Sequence, residues 1–403
     1  MSNVIGNLDV NTFLNTNDER KKIIENASAA PLTGTFPVNV VAKRLHPNRQ
    51  YMKIAAVTDM GQNTKKFRLV PNPDRGTTEC AYFIAGQYIS VFETIKGMEV
   101  NRAYSIASAP FEALEGFYEI AIKNSGDGLV STYVCDNWKV GDEVEVSGPI
   151  GSFAYSRLRD AETVIGVAGG SGITPFVSFA RAIAHGDENF NLVLLYGSRT
   201  ADEILYKDEF DKLAAECSKV KVVHVISDEE KEGFEHGFIS AELIKKYAPA
   251  DKPYSVFVCG PQGLYDFMDK EYEKLGIAKK FFREELYGEI HDPNTQSDYP
   301  GCDQKTVKIT VSVRDRTRTI DADVHDSILQ ALEKAGIAAP ASCRSGECGL
   351  CRSQLVSGEV YCPKKLEGRR LADFKFNGIH ICATYPLSDL EIEVPPVKGI
   401  YVQ

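Results

Sequence analysis

The chain has 403 residues, 43% of them hydrophobic and 25% charged, and a net charge of −10. That length predicts two to three domains, and that composition a globular protein. The acidic balance argues against nucleic-acid binding. No run of eighteen apolar residues offers a membrane span, and an N-terminus without a basic-then-apolar run, in a chain of ten cysteines, predicts a reducing, cytoplasmic setting.

Residues 1–46 read as an N-terminal extension, with a short helix over 17–26, N-capped by Asn15, Thr16 or Asn17, and an extended linker over 29–37. From 47 to 157, short alternating runs at 51–57, 66–70, 87–92 and 117–122 predict an antiparallel β-barrel with one helix near 128–135. From 158 to 287 the pattern becomes strand then helix, repeatedly. Apolar runs at 163–168, 192–196, 220–226 and 255–259 alternate with helical segments near 174–184, 207–215, 240–247 and 262–275. That alternation predicts a parallel sheet covered by helices. Residues 288–304 are polar and rich in turn formers, and read as an interdomain linker. Residues 305–397 open on a β-hairpin and a helix beginning near Asp326, and 398–403 form a tail.

Five segments carry chemistry. Arg102-Ala-Tyr104-Ser105 ends a strand and offers a cation, an aromatic face and a hydroxyl, the groups a flavin needs; it reads equally well as an exposed strand with a hydrogen-bonded tyrosine. Gly126-Asp-Gly128-Leu-Val130-Ser131 opens a helix whose free N–H groups suit a pyrophosphate, or is a plain N-capped helix. Gly169-Gly170-Ser-Gly172-Ile-Thr174-Pro175 follows an apolar strand and opens a helix, which lets backbone approach a pyrophosphate. It is not the G-x-G-x-x-G fingerprint. Cys259-Gly260-Pro261 ends a later strand, where ligands bind in such sheets.

The fifth segment is Cys343-Arg-Ser-Gly-Glu-Cys348-Gly-Leu-Cys351, with Cys382 further on. It reads C-x4-C-x2-C…C, the plant-type spacing for a [2Fe–2S] cluster, whereas zinc more often takes two C-x2-C knuckles. Cys362, between the third and fourth ligands, reads as a buried thiol rather than a reserve ligand. Residues 305–396 hold thirteen Lys/Arg against twelve Asp/Glu, so the acidic excess lies elsewhere. Arg344 and Arg352 beside the ligands are either solvated charge or groups that raise the cluster potential and dock an acidic partner.

In their order along the chain, R-x-Y-S, G-x-x-S, Gly148-Pro-Ile-Gly151-Ser-Phe153, G-G-x-G-x-T-P and C-G-P resemble the ferredoxin-reductase family of flavoproteins over residues 50–287. From about 305 the chain resembles plant-type ferredoxins, including the run that follows Cys382. Reductase followed by ferredoxin is similar to the reductase component of multicomponent oxygenases and to the reductase partner of hybrid-cluster proteins. The resemblance implies a multidomain protein: an antiparallel β-barrel flavin domain, an α/β parallel-sheet nucleotide domain and an α+β β-grasp ferredoxin domain. It implies that Arg102 binds flavin phosphate, Tyr104 packs on the ring, Ser105 sits near N5, and Gly128, Val130 and Ser131 hold the pyrophosphate. Phe153 near adenine favours FAD over FMN. Gly169, Gly170, Gly172 and Thr174, with Gly260 and Pro261, hold the nicotinamide dinucleotide. Cys259 and Glu285 lie at the reacting centre, and Tyr287 in the segment that closes it. Asp228, in Ser227-Asp-Glu-Glu, favours NADH, while Ser198-Arg199 is the feature that would favour NADPH.

The expected function is an NADH-dependent FAD/[2Fe–2S] reductase that passes single electrons to a redox protein. The alternatives are a self-sufficient reductase of small acceptors and a non-enzymatic redox-sensing subunit.

Overall fold

The computed structural model describes residues 10–28, 36–95, 97–126, 128–286, 288–290 and 292–397. Residues up to Lys43 form one unit and Arg44 onward a second. In the first, α1 spans Val10–Glu25, so the helix expected over 17–26 begins well upstream. No Gly or Pro between Val10 and Thr16 interrupts it. Pro37, read from sequence as the end of an extended linker, instead opens α2 (Pro37–Leu45), where its fixed φ suits a first helical turn.

The second unit opens with six antiparallel strands: β1 (Gln50–Asp59), β2 (Thr64–Pro71), β3 (Tyr88–Ile95), β4 (Met98–Ser105), β5 (Tyr118–Lys123) and β6 (Glu143–Val146). Their order is β4-β3-β6-β1-β2-β5. Alternation along β1 and β2 buries Met52, Ile54, Phe67 and Leu69 on one face. The sheet curls until its edges meet at one corner, where Ile106 bridges Ile120 and the Ala107 N–H donates to the Glu119 carbonyl at 2.7 Å. It is a half-barrel rather than a continuous barrel. Two helices attend it, α3 (Pro110–Leu114) and α4 (Leu129–Asn137).

A wholly parallel sheet follows, with β7 (Thr163–Gly169), β8 (Asn191–Ser198), β9 (Val220–Ile226), β10 (Glu235–His236), β11 (Tyr254–Cys259) and β12 (Phe282–Glu284) in the order β10-β9-β8-β7-β11-β12. Between them run α5 (Thr174–His185), α6 (Lys207–Glu216), α7 (Ala241–Tyr247) and α8 (Gln262–Leu275). The order reverses at β7, so the crevice beyond its carboxyl end is the expected ligand site. Arg181 of α5 ties the two sheets together. Its guanidinium reaches Glu112 at 3.1 Å, Glu119 at 2.9 Å and Glu209 at 2.5 Å.

The last sheet orders β14 (Arg316–Asp323), β13 (Thr306–Val313), β19 (Leu390–Glu393), β15 (Arg352–Ser357) and β17 (Gly378–His380) as β14-β13-β19-β15-β17. A small ladder joins β16 (Val360–Tyr361) to β18 (Tyr385–Pro386). Helix α9 (Ile328–Lys334), capped by Ser327, buries Ile328, Leu329, Ala331 and Leu332 against the sheet, and α10 (Leu371–Lys375) abuts β17. The segment 288–304 is not a loose tether. Tyr385 donates to the Ile290 carbonyl at 2.5 Å, and Asp298 accepts from the Tyr361 hydroxyl at 2.8 Å and the Lys364 N–H at 2.9 Å. Polar turn formers here make specific bonds to the domain that follows.

Candidate functional site

The cysteine loop lies between α9 and β15 and is shaped by close backbone approaches. Gly346 has φ +79, and a Cβ there would stand 2.3 Å from the Leu366 carbonyl oxygen. The Ser345 and Cys348 N–H groups each donate to Cys343 Sγ at 3.4 Å, and the Leu350 N–H to Cys348 Sγ at 3.5 Å. Cys351 Sγ lies 3.3 Å from Cys382 Sγ, carried in from the far side of β17. Among the described residues, no group of three or more His, Cys, Asp or Glu surrounds a single ion. Cys343 neighbours Cys348 and Cys382, and Cys382 neighbours Cys351; with backbone N–H groups aimed at sulfur, that donor set suits a two-iron cluster.

A cleft of about 980 Å³ opens beside this loop. Its wall includes Arg102, Tyr104, Gly128, Val130 and Ser131 from the half-barrel and Cys343 and Arg344 from the cysteine loop. Arg102 donates to the Asn101 carbonyl at 2.7 Å, and among the described residues no carboxylate lies within 4.0 Å of it. Burial, and then the nearby Arg344 guanidinium, pull its pKa below the ordinary value. A half-buried cation held in no close ion pair among the described residues, and only partly offset by the more distant Glu333 and Glu289, favours an anion beside it. Gly128 caps α4 with no side chain in the way, since a Cβ there would meet Ser131 Oγ at 2.4 Å, and the first-turn N–H groups complete the cradle. These residues fit a flavin phosphate and ring.

The glycine turn after β7 is tighter still. Gly172 sits so close to the end of β11 that a Cβ would stand 2.3 Å from the Cys259 carbonyl oxygen. Thr174, buried, donates to the Ser171 carbonyl at 3.1 Å. The Gly260 N–H donates to the Tyr265 hydroxyl at 3.0 Å, and that hydroxyl donates to the Glu285 carbonyl. Cys259, Gly260, Gly169 and Glu285 thus share one corner of the parallel sheet. The Glu285 side chain is buried, which raises its pKa well above the carboxylate range, with Glu347 and Cys343 adding to the effect. Ser105, also buried, pairs with Tyr88 across β4 and β3.

At the end of β9, Asp228 is exposed; its N–H donates to the Arg199 carbonyl at 2.9 Å. Arg199 is itself forked onto Glu203, at 3.0 Å and 2.5 Å. The one cation that sequence offered to a 2′-phosphate therefore already has a carboxylate partner.

Three expectations need correction or restriction. Phe153 is 1% exposed and packs among Phe176, Phe179 and Phe257, so its ring belongs to the core between the two sheets and not to an open adenine face. Arg344 is 2% exposed and cannot serve as a solvated docking charge. It is locked between Glu289 at 2.6 Å and Glu333 at 2.6 Å and 2.9 Å. Tyr287 lies outside the described residues.

Sequence reasoning missed the seam that joins half-barrel and cysteine loop. Ser90 Oγ lies 2.8 Å from Ser342 Oγ, and Asn101 donates to the Ser342 carbonyl at 3.0 Å. Ser152 donates to Glu347. Tyr88 is buried here, its hydroxyl pKa raised by that burial and then by Cys343, Cys348, Glu285 and Glu347. Ser90, Asn101, Ser342 and Tyr88 belong to no motif, and Ser152 and Glu347 fill the variable positions of theirs; only the fold brings them together.

Comparison with known proteins gives three family matches in the same order: an oxidoreductase FAD-binding domain over 51–155, an oxidoreductase NAD-binding domain over 167–270, and a 2Fe-2S iron-sulfur cluster binding domain over 311–387. The chain is 27% identical over 297 residues to the glycine betaine monooxygenase reductase subunit of Pseudomonas aeruginosa, covering 69% of this chain and 78% of that protein. It is 33% identical over 237 residues to NADH-cytochrome b5 reductase 1 of Lodderomyces elongisporus, covering 57% and 76%. The solved structure of phthalate dioxygenase reductase, described as modular for electron transfer from pyridine nucleotides to [2Fe–2S], superposes with a TM-score of 0.60 at 25% identity over 86% of this chain and 98% of that one. With FAD, NAD and [2Fe–2S] modules in this order, the chain belongs to the ferredoxin–NAD(P) reductase family of flavoproteins, in the branch with a C-terminal plant-type ferredoxin domain, and is an NAD(P)H-dependent flavin iron–sulfur oxidoreductase.

Proposed function

We propose that this protein is the NADH-oxidising reductase of a two-component system and acts in the cytoplasm, delivering single electrons from its cluster to a separate oxygenase-type protein. One observation carries the reading: Arg102, Tyr104 and Val130, the expected flavin residues, line the same cleft as Cys343, the first expected cluster ligand. Bound flavin would supply the step from a two-electron hydride to one-electron transfer; the protein sets position and surroundings.

In this reading Arg102 and the α4 N-terminus, through Gly128 and Ser131, neutralise the flavin phosphates. Tyr104 packs on the ring, and Ser105 offers a hydroxyl. Gly169, Gly170, Gly172 and Thr174 receive the dinucleotide pyrophosphate, with Gly260 and Pro261 closing the corner. Cys259 and Glu285 stand at the nicotinamide end, where burial raises the Glu285 carboxyl well above the ordinary carboxylate range. The carboxylates around Asp228 favour NADH over NADPH. Cys343, Cys348, Cys351 and Cys382 hold the cluster. Support for a separate acceptor comes from the names of the relatives, a monooxygenase reductase subunit and a dioxygenase reductase.

The purified protein should contain about one FAD and about two irons per chain. NADH oxidation should be slow alone and rise with an oxygenase component. Vigorous turnover with small acceptors only, and none with any oxygenase component, would return the self-sufficient alternative.

A further inference from the structure

The ferredoxin domain carries an apolar cluster that its own fold leaves uncovered. On and beside α10, Leu371 is 89% exposed, Phe374 50% and Phe376 59%. Leu350, between ligands Cys348 and Cys351, is 53% exposed. The two segments are joined: Arg352 pairs with Asp373 of α10 at 2.8 Å, and Gly368 abuts Gly346 and Glu347 of the cysteine loop. Large side chains grouped in this way on a surface mark an interaction site more often than a monomer surface.

The charge around them selects the partner. Residues 364–375 hold five Lys/Arg and two Asp/Glu in a chain whose net charge is −10. Arg370 and Lys375 are exposed and appear in no ion pair among the described residues, whereas Arg369 is bound to Glu367 and stacks on Phe374 at 4.3 Å. We propose that α10 and its flanks, with Leu350, form the surface on which the electron acceptor docks, and that the acceptor presents an apolar centre rimmed by carboxylates. The proposal rests on the reading that electrons leave through the cluster; it adds where they leave and what chemistry receives them. An apolar centre with a charged rim is ordinary interface anatomy, and complementary charge acts mainly on association rate.

The test uses the full-length holoprotein with two one-electron carriers as probes: rubredoxin, which is acidic, and cytochrome c, which is basic. Each NADH gives up a hydride, releasing NAD+ and one proton, and its two electrons convert two carriers from Fe(III) to Fe(II). The variants are Arg370→Glu/Lys375→Glu and, separately, Leu371→Ser/Phe374→Ser. Wild type should reduce rubredoxin at a rate that falls with salt, and bind oxidised rubredoxin in calorimetry. The charge-reversed variant should lose about fivefold or more of that rate at low ionic strength, bind more weakly, and gain on cytochrome c. The apolar variant should lose affinity at every salt concentration. Ferricyanide reduction by NADH should be unchanged in both, which separates a docking defect from misfolding. Unchanged rubredoxin reduction and binding in both variants would overturn the proposal. So would a wild-type dimer that the apolar variant dissociates, since a second copy would then cover the surface. Rubredoxin reduction that survives Cys348→Ser would overturn the underlying reading instead, because electrons would be leaving from the flavin.

Discussion

At the scale of single residues, charge pairing decides most of what can be tested. Arg344 is buried between Glu289 and Glu333, and removing the guanidinium strands two carboxylates away from water. Arg344→Met should therefore destabilise the protein by about 3–5 kcal/mol in urea denaturation, whereas Arg344→Met/Glu289→Leu/Glu333→Leu should recover much of the loss. Glu284 shows the opposite sign. Burial, then Asp269, pushes its pKa up to about 7, and its Oε1 has no hydrogen-bond partner. An acid whose folded pKa is raised favours the folded state below its unfolded pKa, and that contribution is lost as pH rises through about 7. Glu284→Gln should accordingly gain stability over wild type at pH 8, on the order of 2–3 kcal/mol, with little gain at pH 5. Equal differences at both pH values would show that the carboxyl does not titrate there. NADH should be preferred over NADPH roughly ten- to hundredfold in kcat/KM, and Asp228→Arg should narrow or reverse that preference. A wild type that prefers NADPH would point back to Arg199 despite its bond to Glu203.

At the scale of elements, the turn between β7 and α5 can be broken selectively. Gly172→Ala places a methyl group against the Cys259 carbonyl, and the strand end cannot yield without losing its pairing with β7. The variant should retain flavin at wild-type stoichiometry while its KM for NADH rises at least about tenfold. Loss of flavin together with nucleotide binding would mean that the two sites are not independent. Such a turn was legible in the sequence because an apolar run, glycines and a first-turn proline occur in a fixed order. Most strands of the first two sheets, the four helices of the second, and the hairpin and helix that open the third were legible for the same reason, since period-2 and period-3.6 patterns are local; the short β6, β10 and β12 and the strands after the cysteine loop were not. Other features were not. Phe153 sits in a motif, but no local signal distinguishes a ring facing ligand from one facing Phe176 and Phe257. Residues 288–304 looked like a tether because polar turn formers read alike whether solvated or bonded to Tyr361 and Tyr385. Arg344 looked like surface charge because its partners, Glu289 and Glu333, lie on other elements.

At the scale of the whole molecule, the central claim concerns order: nucleotide, flavin, cluster, acceptor. The seam made by Ser90, Asn101 and Ser152 against Ser342 and Glu347 holds the cysteine loop against the half-barrel, beside the cleft, without relying on the cysteines alone. The corner of the parallel sheet reaches the same place through Glu285, whose carboxyl feels Cys343 and Glu347. The decisive measurement is anaerobic stopped-flow mixing of NADH with wild type and with Cys348→Ser, followed at the flavin and cluster absorption bands. In wild type the flavin band should bleach first and the cluster band after it. In the variant the cluster band should be missing while the flavin bleaches at an unchanged rate. Cluster reduction that precedes flavin bleaching in wild type, or a flavin that NADH no longer bleaches in the variant, would contradict the account.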